Sequence, residues 1–244
     1  MAKVFLGVGH GGSDPGAVAN GFKEAALNLT IALYARDELV RHKVEVMLSR
    51  TKDEYDPLAD EIKECNAFNP DLAVDIHNNA GGGDGAEVYY YSKGGTSKTL
   101  AQNILNAIVS ETGQNSRGIK TRVNSNGTDY YGFIRETKAP ATIVECAFLD
   151  NKTDIKILDT VEEQKKMGVA IAHGVLKTLG ISIKETTTAK QEAVKDNAPD
   201  AYAKEAIEWA VKNGILEGDG KGDYMLHSNI TRQDMLVFLH RALK

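Results

Sequence analysis

Over the first 180 residues, short apolar runs alternate with segments whose apolar residues recur every three or four positions. Val4-Phe5-Leu6-Gly7-Val8, Val44 to Leu48, Leu72 to Ile76 and Ala141 to Cys146 read as buried strands, and the tyrosine-rich Glu87 to Tyr91 as a further β-prone segment. Between them lie helix patterns. Leu29, Ala32, Leu33, Leu39 and Val40 share one face of the first, and Leu58, Ile62, Cys65 and Phe68 one face of the second, which Asn69-Pro70 stops. Leu100, Ile104, Leu105 and Ile108 mark a third, with Thr96 or Ser97 as its N-cap, and Val161 to Leu179 a closing helix. Strands alternating with helices predict an α/β domain, a mixed, largely parallel sheet flanked by helices.

The pattern breaks after Gly180. Residues 184–198, KETTTAKQEAVKDNA, are polar and lack aromatics, so a linker is expected over 181–198. The remainder, 199–244, holds the single tryptophan. Ala206, Trp209, Ala210 and Val211 suit one amphipathic helix ending near Gly214, and Met235, Phe238, Leu239 and Leu243 a second. A small helical C-terminal module is therefore expected, one whose size favours stabilisation by partners.

Charge and composition narrow the function classes. The 244 residues carry 29 basic and 34 acidic side chains, a net charge of −5 with no dense basic run, so a nucleic-acid or membrane-surface footprint is not expected. Two cysteines, Cys65 and Cys146, make no disulfide framework. No apolar run approaches the ~20 residues of a membrane span, and the N-terminal stretch is too short for a signal-peptide core. Synthesis in a cytoplasm without a secretion signal is the expectation.

In open α/β sheets, sites lie outside the carboxyl ends of the strands, and that rule sorts the polar residues. Gly7-Val8-Gly9-His10-Gly11-Gly12 formally matches a dinucleotide-binding GxGxxG, but Ser13-Asp14-Pro15-Gly16 follows as a turn where a helix should start. The second strand, moreover, ends in Ser49-Arg50 rather than in an acid. His10 sits just past the first strand, His77 ends another in Asp75-Ile76-His77-Asn78-Asn79, and Glu24 opens the first helix. Two histidines and a carboxylate on one sheet edge could supply three ligands to zinc, leaving a fourth position for water; taken singly, each also reads as an ordinary loop or first-turn residue. Glu145 lies inside the apolar strand Ala141-Thr142-Ile143-Val144-Glu145-Cys146, where a carboxylate is costly unless paired or facing a site. Facing a site, it could act as the base of a metal-assisted hydrolase. Strand alternation would then turn Cys146 into the core, against a role as nucleophile, and Cys65 also reads as core. Gly81, Gly82, Gly83 and Gly85 fit equally a loop against an extended substrate and a plain surface turn.

The ordered segments VFLGVGHGGSDPGAV, FKEAALNLTIAL, LSRTKD, CNAFNPDLAVDIHNNA, GAEVYYY and GFIRETKAPATIVECAFLDN resemble the zinc-dependent N-acetylmuramoyl-L-alanine amidases, from residue 3 to about 180. The resemblance implies cleavage of the amide between N-acetylmuramic acid and the L-alanine of the stem peptide in peptidoglycan. It implies Zn²⁺ held by His10, Glu24 and His77, with Glu145 as the catalytic glutamate. The chain departs from the usual pattern at Asp75 (commonly Ser), Glu61 (commonly Arg) and Cys65 (commonly Ala). AIEWAVKNGILEG and NITRQDMLVFLHRAL resemble one S-layer homology module, with Thr231-Arg232-Gln233-Asp234 in place of the TRAE signature. That implies binding to a secondary cell-wall polymer or homo-oligomer formation through the module. The resemblances are to enzymes of the phage endolysin or bacterial autolysin type, and an amidase with one wall-binding module and no expected signal peptide resembles an endolysin that reaches the bacterial wall after release. The rivals are a zinc peptidoglycan peptidase and a non-catalytic wall-binding protein.

Overall fold

The structure is a computed structural model that describes residues 1–184, 204–216 and 224. The chain divides into two compact units, 1–184 and 185–244. The first runs to Lys184 rather than ending at Gly180: the Lys184 N–H donates to His42 Nε2 (2.9 Å), and Arg41 donates to the Lys184 carbonyl (2.9 Å).

Eight strands, five α-helices and one turn of 3-10 helix (Asp154–Ile157) make up the first unit. The strands are β1 (Lys3–Val8), β2 (Val18–Ala19), β3 (Phe22–Lys23), β4 (Glu45–Leu48), β5 (Leu72–Asn79), β6 (Ala86–Tyr90), β7 (Ser116–Lys120) and β8 (Ala141–Phe148). The helices are α1 (Glu24–Arg41), α2 (Leu58–Phe68), α3 (Thr96–Thr112), α4 (Gly132–Glu136) and α5 (Val161–Thr178). The six-stranded sheet runs β4-β1-β5-β8-β6-β7, and β2 and β3 form a separate two-stranded ribbon. Every neighbouring pair of the large sheet is parallel except β6 with β8, which makes the sheet mixed and largely parallel, as expected.

Each face of the sheet is covered. Helices α1, α3 and α5 bury Leu27, Ile31, Leu39, Leu100, Ile104, Ile108, Ile171 and Val175 against Val4, Leu6, Val74 and Val144. A smaller cluster on the other face packs Ile62 and Cys65 of α2 with Phe5, Ala73, Phe133 and Ile143. Close approach of α5 to its neighbours rests on two glycines: a Cβ at Gly168 would lie 2.4 Å from the Ile31 carbonyl oxygen, and one at Gly174 2.4 Å from the Ile104 Cα.

Details of the sequence reading change. Val40 is 53% exposed, and Leu29 and Leu33 are only half-buried; the buried face of α1 is set by Ala25, Leu27, Ile31, Ala32, Ala35 and Leu39. Helix α3 is preceded by Gly95, and neither Thr96 nor Ser97 caps it. The Ser97 hydroxyl instead donates to the Ala141 carbonyl (2.6 Å) and accepts from the Tyr91 N–H (2.9 Å), tying α3 to β8. Leu58 is 48% exposed at the start of α2.

In the second unit, Lys204–Lys212 forms a helix, α6, with Trp209 55% exposed, and Gly214 follows at φ 67°. The expected helix over Met235 to Leu243, and most of the expected linker, lie outside the described residues. Among the described residues, no helix is long and apolar enough to cross a membrane.

Candidate metal centre

His10, Glu24 and His77 arrive from three elements. His10 follows β1, Glu24 is the first residue of α1 and His77 lies on β5, the strand beside β1. Potential ligand atoms of the three lie within 4.8 Å of one another. Glu24 stands between the rings: Oε1 is 2.9 Å from His77 Nδ1 and Oε2 is 3.2 Å from His10 Nε2. The two rings meet edge to face, centroids 5.0 Å apart.

Backbone geometry enforces this convergence. A Cβ on Gly9 would lie 2.1 Å from His77 Cε1, so only glycine lets the chain leaving β1 pass the ring. Gly16, at φ 63°, leaves equally little room: a Cβ there would lie 2.6 Å from Glu24 Oε2. His10 itself has φ 63°, a left-handed conformation unusual for a residue with a side chain. Buried Arg50 holds the loop, donating to the carbonyls of Val8 (3.0 Å), Gly9 (3.3 Å) and Ala25 (2.7 Å).

The remaining ring nitrogens are held by carboxylates. His10 Nδ1 is 2.8 Å from Asp14 Oδ2, and His77 Nε2 is 3.1 Å from Asp75 Oδ2. Each imidazole is thereby held in orientation by a carboxylate, as metal-binding histidines usually are. Burial works against ionised Glu24, but hydrogen bonds from His10 and His77 outweigh it and hold this carboxyl well below the usual range. Two nitrogens and one anionic oxygen with outer partners in place fit a divalent borderline metal such as zinc.

Glu145 sits beside this set. It is register partner of His77 on β5 and of Glu87 on β6. Its Oε2 is buried without a hydrogen-bond partner. Burial pushes its carboxyl up to about 7; the His77 charge opposes this, while Glu24, Glu87 and Asp75 add to it. A carboxyl poised there can both take and return a proton near neutral pH. Cys146, one residue on, is fully buried in the main core, and Cys65 is buried against α2's neighbours.

The four residues singled out in the sequence thus stand together. Sequence reasoning missed Asp14, the partner of His10, and Glu87. Glu87 is buried and accepts from Arg117, Lys120 and Tyr89. A signal for Asp14 was present, an acid four residues after a site histidine. The glycine loop after β5 is tied down by Asp150, whose carboxylate accepts from the Gly81 (2.9 Å) and Gly82 (2.8 Å) N–H groups.

Residues 4–177 match the model of a family described as N-acetylmuramoyl-L-alanine amidase. The chain belongs to that family. Its relatives include the sporulation-specific N-acetylmuramoyl-L-alanine amidase of Bacillus subtilis, 33% identical over 78% of this chain and 72% of that protein. The endolysin of Bacillus phage SPP1 is 33% identical over 82% of this chain and 78% of its own length. Among solved structures, Cwp6 from Clostridium difficile is 40% identical with a TM-score of 0.72, over 73% of this chain and 29% of that one. The mixed sheet and its flanking helices are therefore the family's catalytic fold, and the activity that goes with the family is hydrolysis of peptidoglycan at the muramoyl–alanine amide.

Proposed function

We propose that this chain is a zinc-dependent N-acetylmuramoyl-L-alanine amidase in which His10, Glu24 and His77 hold the metal and Glu145 is the acid–base residue. The observation that carries the reading is the convergence of three ligand-type side chains beside an unpartnered carboxyl on the adjoining strand. Bound zinc would supply Lewis acidity toward the scissile carbonyl and the attacking water. Ionised Glu145 takes the proton from that water, then returns it to the departing alanine nitrogen. Proton capture and release by one group requires a pKa near the working pH, which burial provides. Asp14 and Asp75 keep the two imidazoles aimed, and Gly9 and Gly16 keep the space open.

Similarity to a phage endolysin supports a role in bacterial wall breakdown. We further propose that the segment after 198, through its likeness to an S-layer homology module, gives affinity for a wall polymer or for other copies of the chain. The test of the metal reading is elemental analysis with chelation. About one zinc per chain is expected, with wall digestion lost on chelation and restored by zinc. His77→Ala should retain the fold and lose the metal. Full turnover in protein verified free of metal would overturn the proposal.

A further inference from the structure

Next to the metal set lies a pocket of about 330 Å³ that His10 and His77 share with the loop before α2 and with α4. Asp56, Glu61 and Asp75 all line it, and Asp56 Oδ2, Glu61 Oε1 and Asp75 Oδ1 are buried with no hydrogen-bond partner. Glu61 and Asp75 are only 5% and 3% exposed. Their unpartnered oxygens converge over Gly7, where a Cβ would lie 2.0 Å from Glu61 Oε1 and 2.7 Å from Asp75 Oδ1. Buried acceptors without donors are costly, and a fold that retains three of them on carboxyls lining one pocket favours a donor supplied from outside.

Among the described residues, no cation fills that need. Arg50 is near, but its guanidinium is committed to main-chain carbonyls of Val8, Gly9, Lys52 and Ala25. His77 reaches only the other oxygen of Asp75. Burial, then the charges of Asp75 and Asp56, push the Glu61 carboxyl well above the usual range, with His77 opposing, as suits an acid lacking a counter-ion. The remaining walls are apolar or aromatic: Tyr55, Leu58, Tyr131 and Phe133. A hard divalent ion prefers a cage of oxygens and water. Carboxyls at the base of aromatic and aliphatic walls suit an ammonium on a methylene chain, which gains charge-assisted hydrogen bonds, cation–π attraction and apolar contact together.

We propose that this pocket is a subsite for a primary ammonium group that the substrate carries on a short aliphatic arm, as in a diamino-acid residue of a stem peptide, read chiefly by Asp56 and Glu61. The inference rests on the amidase reading, since that reading places the scissile bond beside His10 and His77. It adds substrate choice: walls with a free side-chain amine would be cut faster than walls in which that amine is acylated in a cross-link.

The test compares soluble muramoyl peptides identical except that the diamino-acid amine is free or acetylated, with the zinc-loaded full-length protein. Acetylation should lower kcat/KM by about 10-fold or more, chiefly through KM, the size expected for lost hydrogen bonds to charged groups. In the isosteric double variant Asp56→Asn, Glu61→Gln, the two substrates should differ by less than about twofold. A third substrate carries its free amine on a de-N-acetylated sugar, with the peptide amine acetylated. Preference for that form would overturn the assignment to the peptide. Calorimetric binding of the same peptides to the Glu145→Gln protein repeats the comparison without turnover. Failure of every peptide to be cleaved would therefore refute the amidase reading, whereas equal affinity for free and acetylated forms would refute the subsite.

Discussion

Replacing Glu145 by glutamine should move activity and stability in opposite directions. The side chain keeps its shape and its neighbours on β5 and β6 but can no longer ionise. Moving a carboxyl from 4.5 to about 7 means that ionisation in the folded chain is disfavoured by about 3 kcal/mol, at about 1.4 kcal/mol per tenfold change. Glu145 is half-buried rather than sealed, and solvent screening reduces the figure to about 1–2 kcal/mol. The sign follows from linkage. A carboxyl whose folded pKa is raised contributes stability that is fully present below the unfolded value and lost as pH rises through the folded one. Native Glu145 therefore destabilises the metal-free protein above about pH 7, and glutamine removes that cost. Chelated Glu145→Gln should gain about 1–2 kcal/mol over the native chain at pH 8.5 and almost nothing at pH 4.5, by denaturant unfolding. The zinc-loaded variant should digest walls roughly 10²–10⁴-fold more slowly with its metal retained. A variant less stable than native at pH 8.5, or turnover within threefold of native, would refute the reasoning.

Wall digestion by the native protein should fall on the acid side with an apparent pKa at or below about 7, because proton capture requires ionised Glu145 and a bound cation can only ease its ionisation; a rate independent of pH between 5 and 8 would contradict this. Gly9→Ala should abolish metal binding, measured by elemental analysis, since the added methyl occupies the place of the His77 ring. Arg50→Lys should lower unfolding stability by roughly 2–4 kcal/mol, because one ammonium cannot replace the guanidinium's bonds to four buried or half-buried carbonyls. Asp75→Asn should weaken zinc affinity about 10–100-fold against a competing chelator while far-ultraviolet dichroism stays unchanged.

The architecture was legible because buried parallel strands are continuous apolar runs and their helices carry one apolar face each; both patterns are local. The four candidate site residues stood out because the carboxyl edge of such a sheet is where sites form, so His10, His77 and Glu145 could be sorted by position, and the family resemblance then implied their roles. What stayed hidden depends on tertiary placement. Arg50 looked like a residue that merely ends a strand, yet it is buried and clamps the loop after β1. Asp75 was visible only as a departure from the family pattern. Its contact with His77 needs the strand's actual conformation, and its unpartnered oxygen gains meaning only once α2 brings Glu61 over Gly7 of β1 beside it. Val40 and Leu33 misled because a helix packed between sheet and neighbouring helix buries small residues such as Ala32 and Ala35 as well as large ones.

The most direct measurement of the central claim is chemical identification of the ends released from purified peptidoglycan. New amino groups are labelled before hydrolysis of the digest and compared between the zinc-loaded native chain and Glu145→Gln. L-Alanine amino termini should accumulate with time in the native digest, with no new reducing sugar ends, and should be nearly absent with the variant. New termini belonging to another residue of the peptide, or L-alanine release at equal rates by both proteins, would contradict the assignment.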